Sequence, residues 1–288
     1  MRPPSTIAAL ARLEVLLDEV PPARGLSPER YALTHAAYEA RSDQRSLLRR
    51  WMIDTVPGLV DHVTDRPVDV LGVGVGDGSV DGPLAGRLAA GGRAVRYHGI
   101  EPHEPSLRRF GQRLDGLGLA GLATTGFATD LSRFDLDGPY DLIHFVHSLY
   151  YVPDLGAAIE HAVRLLRPDG ALVVLISPRE PLSALSALLA PQPDHPHWFT
   201  DAVLAALERH ELRIDRATIE GRLDLRAVRD EPAGIGAHVL DFLLQCHSAD
   251  LDPAVLALVH AHLEEIALPD VTDAVPHPLD ALIVRHPD

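Results

Sequence analysis

A glycine-rich loop between a buried strand and a helix constrains this chain more than any other feature. The run Val68–Val73 is short, apolar and rich in β-branched residues, which is typical of a strand buried on both faces of a parallel sheet. This strand ends in a series of glycines, Gly72, Gly74, Gly76 and Gly78, and a helical pattern follows. Because glycine has no Cβ atom, such a loop lets the backbone pass close to a bound ligand. We therefore expect an α/β fold with a ligand site after the first strand.

Strand-like and helix-like segments alternate through the middle of the chain. Further strands are predicted at 95–100, 123–127, 141–147, 171–177, 212–219 and 279–285. Helices are predicted between them at 80–90, 105–118, 154–167 and 200–210. Alternation of this kind builds βαβ units, so we expect a doubly wound, mostly parallel sheet with helices on both faces.

Additional helices lie outside this alternating core. Apolar spacing and the Ser27-Pro28 start signal predict three before the first strand, at 5–20, 28–40 and 42–55. Two more, at 235–247 and 254–267, lie in an insertion between the last two strands. The proline-rich stretch 191–196 is predicted to be a loop.

The composition excludes several classes of protein. Twenty-six basic residues against 41 acidic ones give a net charge of −15, which disfavours binding to nucleic acid. The chain has no lysine, which excludes Schiff-base enzymes and Walker-A loops. A single cysteine, the lack of a signal-peptide pattern and the lack of a long apolar window predict a cytoplasmic protein that does not contact membranes. The oligomeric state is left open.

Histidine and cysteine do not form a recognisable metal motif. His195-Pro-His197 and Cys246-His247 have suitable ligand types, but no third and fourth ligand follows at suitable spacing. We therefore predict no metal site.

A carboxylate follows the second predicted strand. Glu101 at the tip of that strand could accept hydrogen bonds from both hydroxyls of a ribose lying over the glycine loop; a solvated strand end is the alternative interpretation. A dinucleotide fingerprint would need a third glycine where Asp77 or Ser79 stands, so the loop does not match the NAD pattern.

Two further motifs complete a family resemblance. Asp137-Gly-Pro-Tyr-Asp141 leads into the fourth strand, and Leu165-Leu-Arg-Pro-Asp-Gly170 leads into the fifth. Together with the glycine loop and Glu101, these motifs resemble the class I S-adenosylmethionine-dependent methyltransferases over residues 68–180. The resemblance implies a seven-stranded Rossmann-like sheet whose last strand, at 279–285, is antiparallel. It implies S-adenosylmethionine as cofactor and S-adenosylhomocysteine as product, with these cofactor-binding residues: Gly72, Gly74, Gly76, Glu101, Thr129 and Asp130 beside the adenine, and Val146 under the methionine portion.

A narrower resemblance is strongest over residues 141–154 and runs more weakly from about Tyr31 to the C-terminus. With Val56-Pro57-Gly58 and Asp241-Phe242-Leu243, this stretch is similar to histamine N-methyltransferase and its bacterial relatives, a group that also includes methyltransferases acting on C3 of indoles. The resemblance implies a helical substrate cover and the following domains: 1–55 N-terminal cover, 56–219 cofactor-binding core, 220–277 insertion completing the cover, and 278–288 final strand of the core.

The substrate-binding positions depart from that family. Its members hold an imidazole with Glu, Gln and Asn, and the alignment places Gln44, His147 and His277 there. Neutral Gln44 gives up the stronger, charge-assisted hydrogen bond of a glutamate, whereas two imidazoles could accept a proton near neutral pH. His147 is our first choice of base and His277 the second. The substrate-binding candidates are Tyr31, Gln44, His147, Tyr151, Trp198, Phe242 and His277, with core packing or incidental placement as the alternative for the aromatic and histidine side chains.

These observations predict an S-adenosylmethionine-dependent methyltransferase. The expected substrate is a small heteroaromatic molecule of imidazole or indole type, methylated on nitrogen or carbon, in bacterial secondary metabolism. Two alternatives stay open: specific C3-methylation of an indole or tryptophan derivative, and a methyltransferase fold retained as a non-catalytic binding module.

Overall fold

The computed structural model describes residues 8–134, 138–190, 197–271 and 273–287. The predicted helix residues 5–7, Asp137, His195 and the predicted loop at 191–196 lie outside the described residues. Helices in the described part of the chain are α1 (Ala8–Leu17), α2 (Pro28–Glu39), α3 (Gln44–Thr55), α4 (Asp81–Leu88), α5 (Glu104–Asp115), α6 (Leu155–Leu165), α7 (Ala184–Leu189), α8 (Thr200–Leu207), α9 (Arg226–Asp230), α10 (Ile235–Leu244) and α11 (Pro253–Glu265). Strands in this part are β1 (Val68–Val73), β2 (Val95–Ile100), β3 (Leu122–Phe127), β4 (Tyr140–Val146), β5 (Leu166–Ile176), β6 (Arg213–Ile219), β7 (Arg222–Asp224), β8 (Ala274–Pro276) and β9 (Leu279–Arg285).

The chain divides into two compact units. The α/β unit comprises Ser46–Ser177, Trp198–Ile219 and Leu279–Asp288, and the helical unit comprises Met1–Arg45, Pro178–His197 and Glu220–Pro278. Most of α3 and the strands β1 to β6 and β9 therefore fall in the α/β unit. The segment Pro178–His197, which carries α7, falls in the helical unit.

The α/β unit is built on a seven-stranded sheet of order β3-β2-β1-β4-β5-β9-β6. Neighbours among β1 to β5 run parallel, whereas β9 runs antiparallel to both β5 and β6. This topology confirms the predicted doubly wound, mostly parallel fold and the antiparallel last strand. The strand order reverses between β1 and β4, and in open α/β sheets the crevice at such a point is where ligands bind.

Burial on both faces explains the continuous apolar run of β1. All six residues of β1 are buried. Val70 packs in a cluster with side chains of α3, α4 and α5, whereas its neighbour Leu71 packs with side chains of α6 and α8. Successive strand residues point to opposite faces, so each face of β1 meets its own helical layer.

A buried acid joins β1 to β4 at the amino ends of these strands. Asp141 accepts hydrogen bonds from two nitrogens of Arg66, both at 2.6 Å, and from the Asp69 backbone N–H at 2.8 Å. Burial opposes ionisation of Asp141, but these donors and Arg167 outweigh it and hold its pKa below the usual value. Asp141 therefore stabilises the sheet at the edge opposite the glycine loop.

Strand β5 begins at Leu166, five residues before its predicted start, and the motif expected to lead into it forms a bulge within the strand. β5 already pairs with β4 at Leu166, and the register shifts before pairing resumes at Ala171. The intervening Arg-Pro-Asp-Gly residues are accommodated in the strand because a bulge lets extra residues on one strand face fewer on its partner. Helix α6 ends at Leu165, two residues before the predicted end at 167.

In the helical unit, a buried ion pair links α2 to α10. Asp241 is 2% exposed and accepts hydrogen bonds from two nitrogens of Arg30, at 2.9 and 2.6 Å. Its other oxygen accepts from the backbone N–H and hydroxyl of Ser248. Because each carboxylate oxygen has donors, the buried charge is compensated.

Four short elements of this unit were not predicted, namely α7, α9, β7 and β8. Strands β7 and β8 pair antiparallel as a two-stranded ribbon. Each has three residues, too few to display an alternating apolar pattern. None of the helices in the described ranges combines the length and apolar character needed to cross a membrane.

Candidate functional site

The carboxyl ends of β1, β2, β3 and β4 meet at one edge of the sheet, because these four strands are neighbours and run parallel. The predicted cofactor residues follow these strand ends one after another. The glycine loop follows β1, Glu101 follows β2, Thr129 and Asp130 follow β3, and Val146 ends β4. The fold therefore brings the predicted cofactor residues to the same edge of the α/β unit.

Glu101 is hydrogen-bonded directly to the glycine loop. Its Oε2 accepts from the Gly76 backbone N–H at 3.0 Å, and its Oε1 accepts from the His103 backbone N–H at 2.9 Å. The Gly74 N–H donates to the Ile100 carbonyl oxygen at 2.8 Å, which ties the loop to β2 a second time. An ionised carboxylate has about four acceptor sites. Glu101 is thus fixed in place and retains the capacity to accept hydrogen bonds from ligand hydroxyls.

The glycine loop leaves room for a ligand. Gly76 has φ +54°, a left-handed conformation that side chains disfavour, and a Cβ atom built on it would meet nothing within 4 Å. A Cβ on Gly74 would lie 2.4 Å from the Cβ of Ser148, so β1 and the segment after β4 approach closely there. The Oγ atom of Ser148 is buried and has no hydrogen-bond partner among the described residues. Open space at Gly76, an anchored carboxylate and a polar atom lacking a partner fit a nucleoside-containing cofactor.

Residues after β3 form a capped turn. The Asp130 carboxylate accepts from the Arg133 backbone N–H at 3.2 Å and from the Ser132 hydroxyl. The Ser132 hydrogen bond is the main cause of the lowered pKa of Asp130, so this side chain is an anion at neutral pH. The Thr129 hydroxyl donates to the Asp130 carbonyl oxygen at 3.3 Å.

His147 stands in a strained backbone conformation immediately after β4. Its φ of +53° is uncommon for a residue with a side chain, and such outliers cluster at functional sites. Its backbone N–H donates to the Leu175 carbonyl oxygen at 3.0 Å. The imidazole stacks on Tyr150, with 5.9 Å between ring centroids, and Nδ1 lies 3.2 Å from the Tyr150 hydroxyl oxygen.

Tyr150 is itself held by the protein. Its hydroxyl oxygen accepts from the Ser177 backbone N–H at 2.8 Å, and burial raises the pKa of Tyr150 to about 12. The phenol therefore stays neutral at physiological pH and orients the neighbouring imidazole. Val146, one residue before His147, is partly buried against the α3–α5 side of the core.

Gln44 and His277 lie together in the helical unit. The Gln44 Nε2 donates to the carbonyl oxygens of His277 and Pro278 at 3.0 and 3.1 Å. The His277 ring contacts hydroxyls on both sides, with Nε2 3.0 Å from the Tyr38 oxygen and Nδ1 2.7 Å from Ser42 Oγ. Burial lowers the pKa of His277 to about 4. His277 is therefore a neutral imidazole and a weak base.

An aromatic cluster surrounds Phe242 in the helical unit. Phe242 packs against Tyr31, His35 and Tyr38, with ring centroids 5.3, 5.0 and 4.8 Å away. Sequence reasoning selected Tyr31 and Phe242 but missed His35 and Tyr38. Their spacing of four and seven residues from Tyr31 on α2 was the available signal, since such residues share one helix face.

The two remaining candidates lie in the α/β unit. The Trp198 indole N–H donates to the Val152 carbonyl oxygen at 2.8 Å, and the ring packs against the core on the α6–α8 side. Tyr151 is 64% exposed, and its ring contacts that of Tyr150 edge to face. No group of three His, Cys, Asp or Glu side chains suited to a metal ion occurs in the ranges that the structure describes.

The fold and the glycine loop are those of a class I S-adenosylmethionine-dependent methyltransferase. Residues 71–172, which run from β1 to β5, match the family model described as "Methyltransferase domain". Over this segment the chain is similar to methyltransferase domains, and its fold and glycine loop match the class I S-adenosylmethionine-dependent methyltransferases, a family whose cofactor is S-adenosylmethionine.

Curated relatives share part of the chain. It is 24% identical over 159 residues to histamine N-methyltransferase of Xenopus tropicalis, covering 51% of this chain and 54% of that protein. It is 35% identical over 134 residues to nocamycin O-methyltransferase of Saccharothrix syringae, covering 46% of each chain. The chain spans about half the length of the curated relatives it matches.

Solved structures share the fold. The plantazolicin methyltransferase BpumL in complex with SAH superposes with a TM-score of 0.52, covering 98% of this chain and 95% of that one, at 13% identity. At this identity the similarity establishes the methyltransferase fold alone.

Proposed function

We propose that this protein transfers a methyl group from S-adenosylmethionine to a small heteroaromatic substrate of imidazole or indole type. The observation that carries the proposal is the hydrogen bond between Glu101 and the Gly76 N–H, beside the open space at Gly76. An anchored carboxylate at this place can bind the two ribose hydroxyls of a nucleoside. When bound, S-adenosylmethionine supplies an electrophilic methyl group. The further cofactor contacts that we propose are Gly72, Gly74, Thr129, Asp130 and Val146.

His147 is the proposed general base. A base role requires one ring nitrogen of the neutral imidazole to carry a lone pair. If Nδ1–H donates to the Tyr150 oxygen, the lone pair is on Nε2. The stacked, partly buried Tyr150 would then hold the tautomer that can accept a proton from the substrate.

His277 is the weaker choice of base, and its geometry favours an orienting role. Both of its ring nitrogens contact hydroxyl groups, and its lowered pKa makes it a poor proton acceptor at neutral pH. The substrate-binding roles of Gln44, Tyr31, Phe242, Tyr151 and Trp198 stay proposals that single substitutions and KM measurements would test.

A second candidate reaction is C3-methylation of an indole or tryptophan derivative. Indole C3 becomes strongly nucleophilic as the ring N–H loses its proton, so this reaction needs a base, whereas a neutral imidazole nitrogen already has a lone pair. The strained placement of His147 favours the reaction that uses a base. The names of the two curated relatives specify different acceptor atoms, nitrogen in one and oxygen in the other.

One experiment tests the proposal and separates its alternatives. The purified protein is incubated with S-adenosylmethionine and a panel of imidazoles, indoles, tryptophan derivatives and phenols, and formation of S-adenosylhomocysteine is measured. NMR of the product then assigns the methylated atom. Turnover on a heteroaromatic compound supports the proposal, whereas turnover only on phenols would contradict the substrate class. S-adenosylhomocysteine binding without turnover on any compound would favour the binding-module alternative.

A further inference from the structure

Three buried polar side chains meet directly beneath the glycine loop. The Tyr97 hydroxyl donates to Asp81 Oδ1 at 2.9 Å and lies 2.7 Å from His144 Nε2. The distance from His144 Nε2 to Asp81 Oδ1 is 3.4 Å. Each of the three side chains is at most 2% exposed. We name Asp81, Tyr97 and His144 the buried triad.

The triad forms across β1 because Gly72 has no side chain. Tyr97 on β2 pairs with Val70, and His144 on β4 pairs with Gly72, so β1 lies between the two strands that carry these rings. A Cβ atom on Gly72 would lie 2.9 Å from both Cε1 and Nε2 of His144. The first glycine of the loop therefore provides the space in which the His144 ring reaches Tyr97.

Asp81 connects this triad to the helix that follows the loop. It is the first residue of α4, and the Gly82 N–H donates to the Gly78 carbonyl oxygen at 2.8 Å. Displacement of Asp81 would therefore move the start of α4 and, through Gly78, the end of the glycine loop. The triad is therefore placed to set the conformation of the glycine loop through α4.

The hydrogen-bond donors of the triad are all satisfied when Asp81 is ionised. His144 Nδ1 is buried and has no hydrogen-bond partner among the described residues. With Asp81 ionised, the Tyr97 hydroxyl donates to Asp81, and the Nε2–H of His144 donates to the Tyr97 oxygen. Nδ1 then carries a lone pair and no proton, so no buried N–H or O–H of the triad lacks an acceptor. With Asp81 protonated and the chain reversed, His144 would carry its proton on Nδ1, a buried donor left unsatisfied at a cost of about 1–3 kcal/mol.

Burial places the Asp81 titration in the physiological range. Desolvation is the main cause that raises the pKa of Asp81 to about 7, and burial lowers the pKa of His144 to about 4. The nearby charged groups are Asp77 in the loop, which also raises the Asp81 pKa, and Arg113 on α5, which binds Asp77 at 3.1 Å. The helical turn Val56–Val60, which also packs against α4, has no charged side chain.

We propose that Asp81, Tyr97 and His144 are positioning residues that hold the glycine loop in its cofactor-binding conformation through the hydrogen-bonded chain linking α4, β2 and β4. This inference rests on the proposed cofactor binding. Since the ionised triad satisfies every donor, affinity for the cofactor rises with pH as Asp81 loses its proton.

A matched pair of tyrosine variants tests the proposal. Tyr97→Phe removes the central hydroxyl, whereas Tyr140→Phe removes the hydroxyl of a second buried tyrosine, which lies 2.8 Å from His98 Nδ1 at the opposite end of β4. Binding of S-adenosylhomocysteine is measured by titration calorimetry, and unfolding midpoints are measured in parallel. Tyr97→Phe removes the hydrogen bonds of the hydroxyl to both Asp81 and His144, so we expect it to weaken binding at least about five- to tenfold, and we expect Tyr140→Phe to leave affinity unchanged. Equal affinities for both variants, whether reduced or unchanged, would overturn the proposal.

Asp81→Asn provides a second measurement that does not require Tyr97→Phe to fold. The wild-type affinity for S-adenosylhomocysteine is expected to rise about threefold or more between pH 6 and 8, and Asp81→Asn is expected to remove this dependence. The same pH dependence in wild type and Asp81→Asn would overturn the role of the triad. A wild-type protein that binds no S-adenosylhomocysteine at either pH would instead refute the proposed function, and this inference with it.

Discussion

The Gly76 backbone N–H donates a 3.0 Å hydrogen bond to the Glu101 carboxylate, and this contact joins the loop after β1 to the tip of β2. The two residues are 25 positions apart in the chain and meet because their strands are parallel neighbours. The contact fixes the carboxylate that we assign to the ribose of the cofactor.

Replacing Glu101 is expected to weaken cofactor binding without unfolding the protein. Glu101→Ala should cost about 1.5–3 kcal/mol in S-adenosylhomocysteine affinity, the usual loss for hydrogen bonds to a charged group. Titration calorimetry provides the measurement. Glu104→Ala is the control, since Glu104 is an exposed carboxylate three residues away that pairs with Arg108. An unchanged affinity for Glu101→Ala would remove Glu101 from the site.

A side chain on Gly76 should block the cofactor as well as strain the loop. Gly76→Val forces a β-branched residue into φ +54° and fills the open space beside the loop. Gly91→Val is the matched control, because Gly91 has φ +73° and equally open surroundings after α4. We expect both variants to lower the unfolding midpoint and Gly76→Val alone to lose binding. Loss of binding in both would indicate a general effect of strain.

His147 is expected to contribute to turnover at the expense of stability. His147→Gly relieves the left-handed conformation at φ +53°, which should add about 0.5–1 kcal/mol to the free energy of unfolding, partly offset by lost side-chain packing. The same variant, and His147→Ala, should lower kcat about 10²- to 10⁴-fold if the imidazole is the base. Steady-state kinetics with denaturant unfolding measures both effects. Near-normal kcat would exclude a base role, and a change confined to KM would make His147 a positioning residue.

Two buried histidines should make the protein sensitive to acid. Burial lowers the pKa values of His144 and His277 to about 4 from an ordinary 6.5. Their contribution to stability is therefore fully present above pH 6.5 and is lost as the pH falls through 4, at about 3 kcal/mol for each group. Urea unfolding between pH 7 and pH 4.5 measures the slope. His277→Gln should make the slope shallower, and an unaltered slope would contradict the assignment for His277.

Asp81 should change the free energy of unfolding with pH in the opposite direction to His144 and His277. Its pKa is raised to about 7 from 3.8, so its protonated form favours the folded state, and that contribution is lost as the pH rises from 3.8 through 7. The unfolding free energy of the wild type, relative to Asp81→Asn, should fall by about 4 kcal/mol over this range. A difference that does not vary with pH would show that Asp81 has an ordinary pKa in the folded protein.

Local signals account for the agreement between sequence and structure in the strands and helices. The β-branched run of β1 and the Ser27-Pro28 start of α2 both act within a few residues. The Ser27 hydroxyl oxygen accepts from the Arg30 N–H at 3.2 Å, as an N-cap does. Helix α5 begins one residue before its predicted start, and β9 coincides with its prediction.

Contacts between distant residues could not be predicted in this way. The β7–β8 ribbon pairs two three-residue segments that are about fifty positions apart, and neither segment has a pattern of its own. The contact between Gln44 and the backbone of His277 likewise joins residues 233 positions apart. The alignment placed both residues near a substrate, but only the folded chain shows that the amide holds the backbone of the histidine.

The sequence by itself determined the α/β class, the position of the glycine loop and the acid that follows β2, because periodicity, turn residues and spacing are properties of short segments. The tertiary structure alone decided which side chains share a hydrogen bond. The partners of His144, Tyr97 and Asp81, depended on the strand order β2-β1-β4 and on the space left at Gly72. Strand order arises from packing of the whole unit, and no local pattern encodes it.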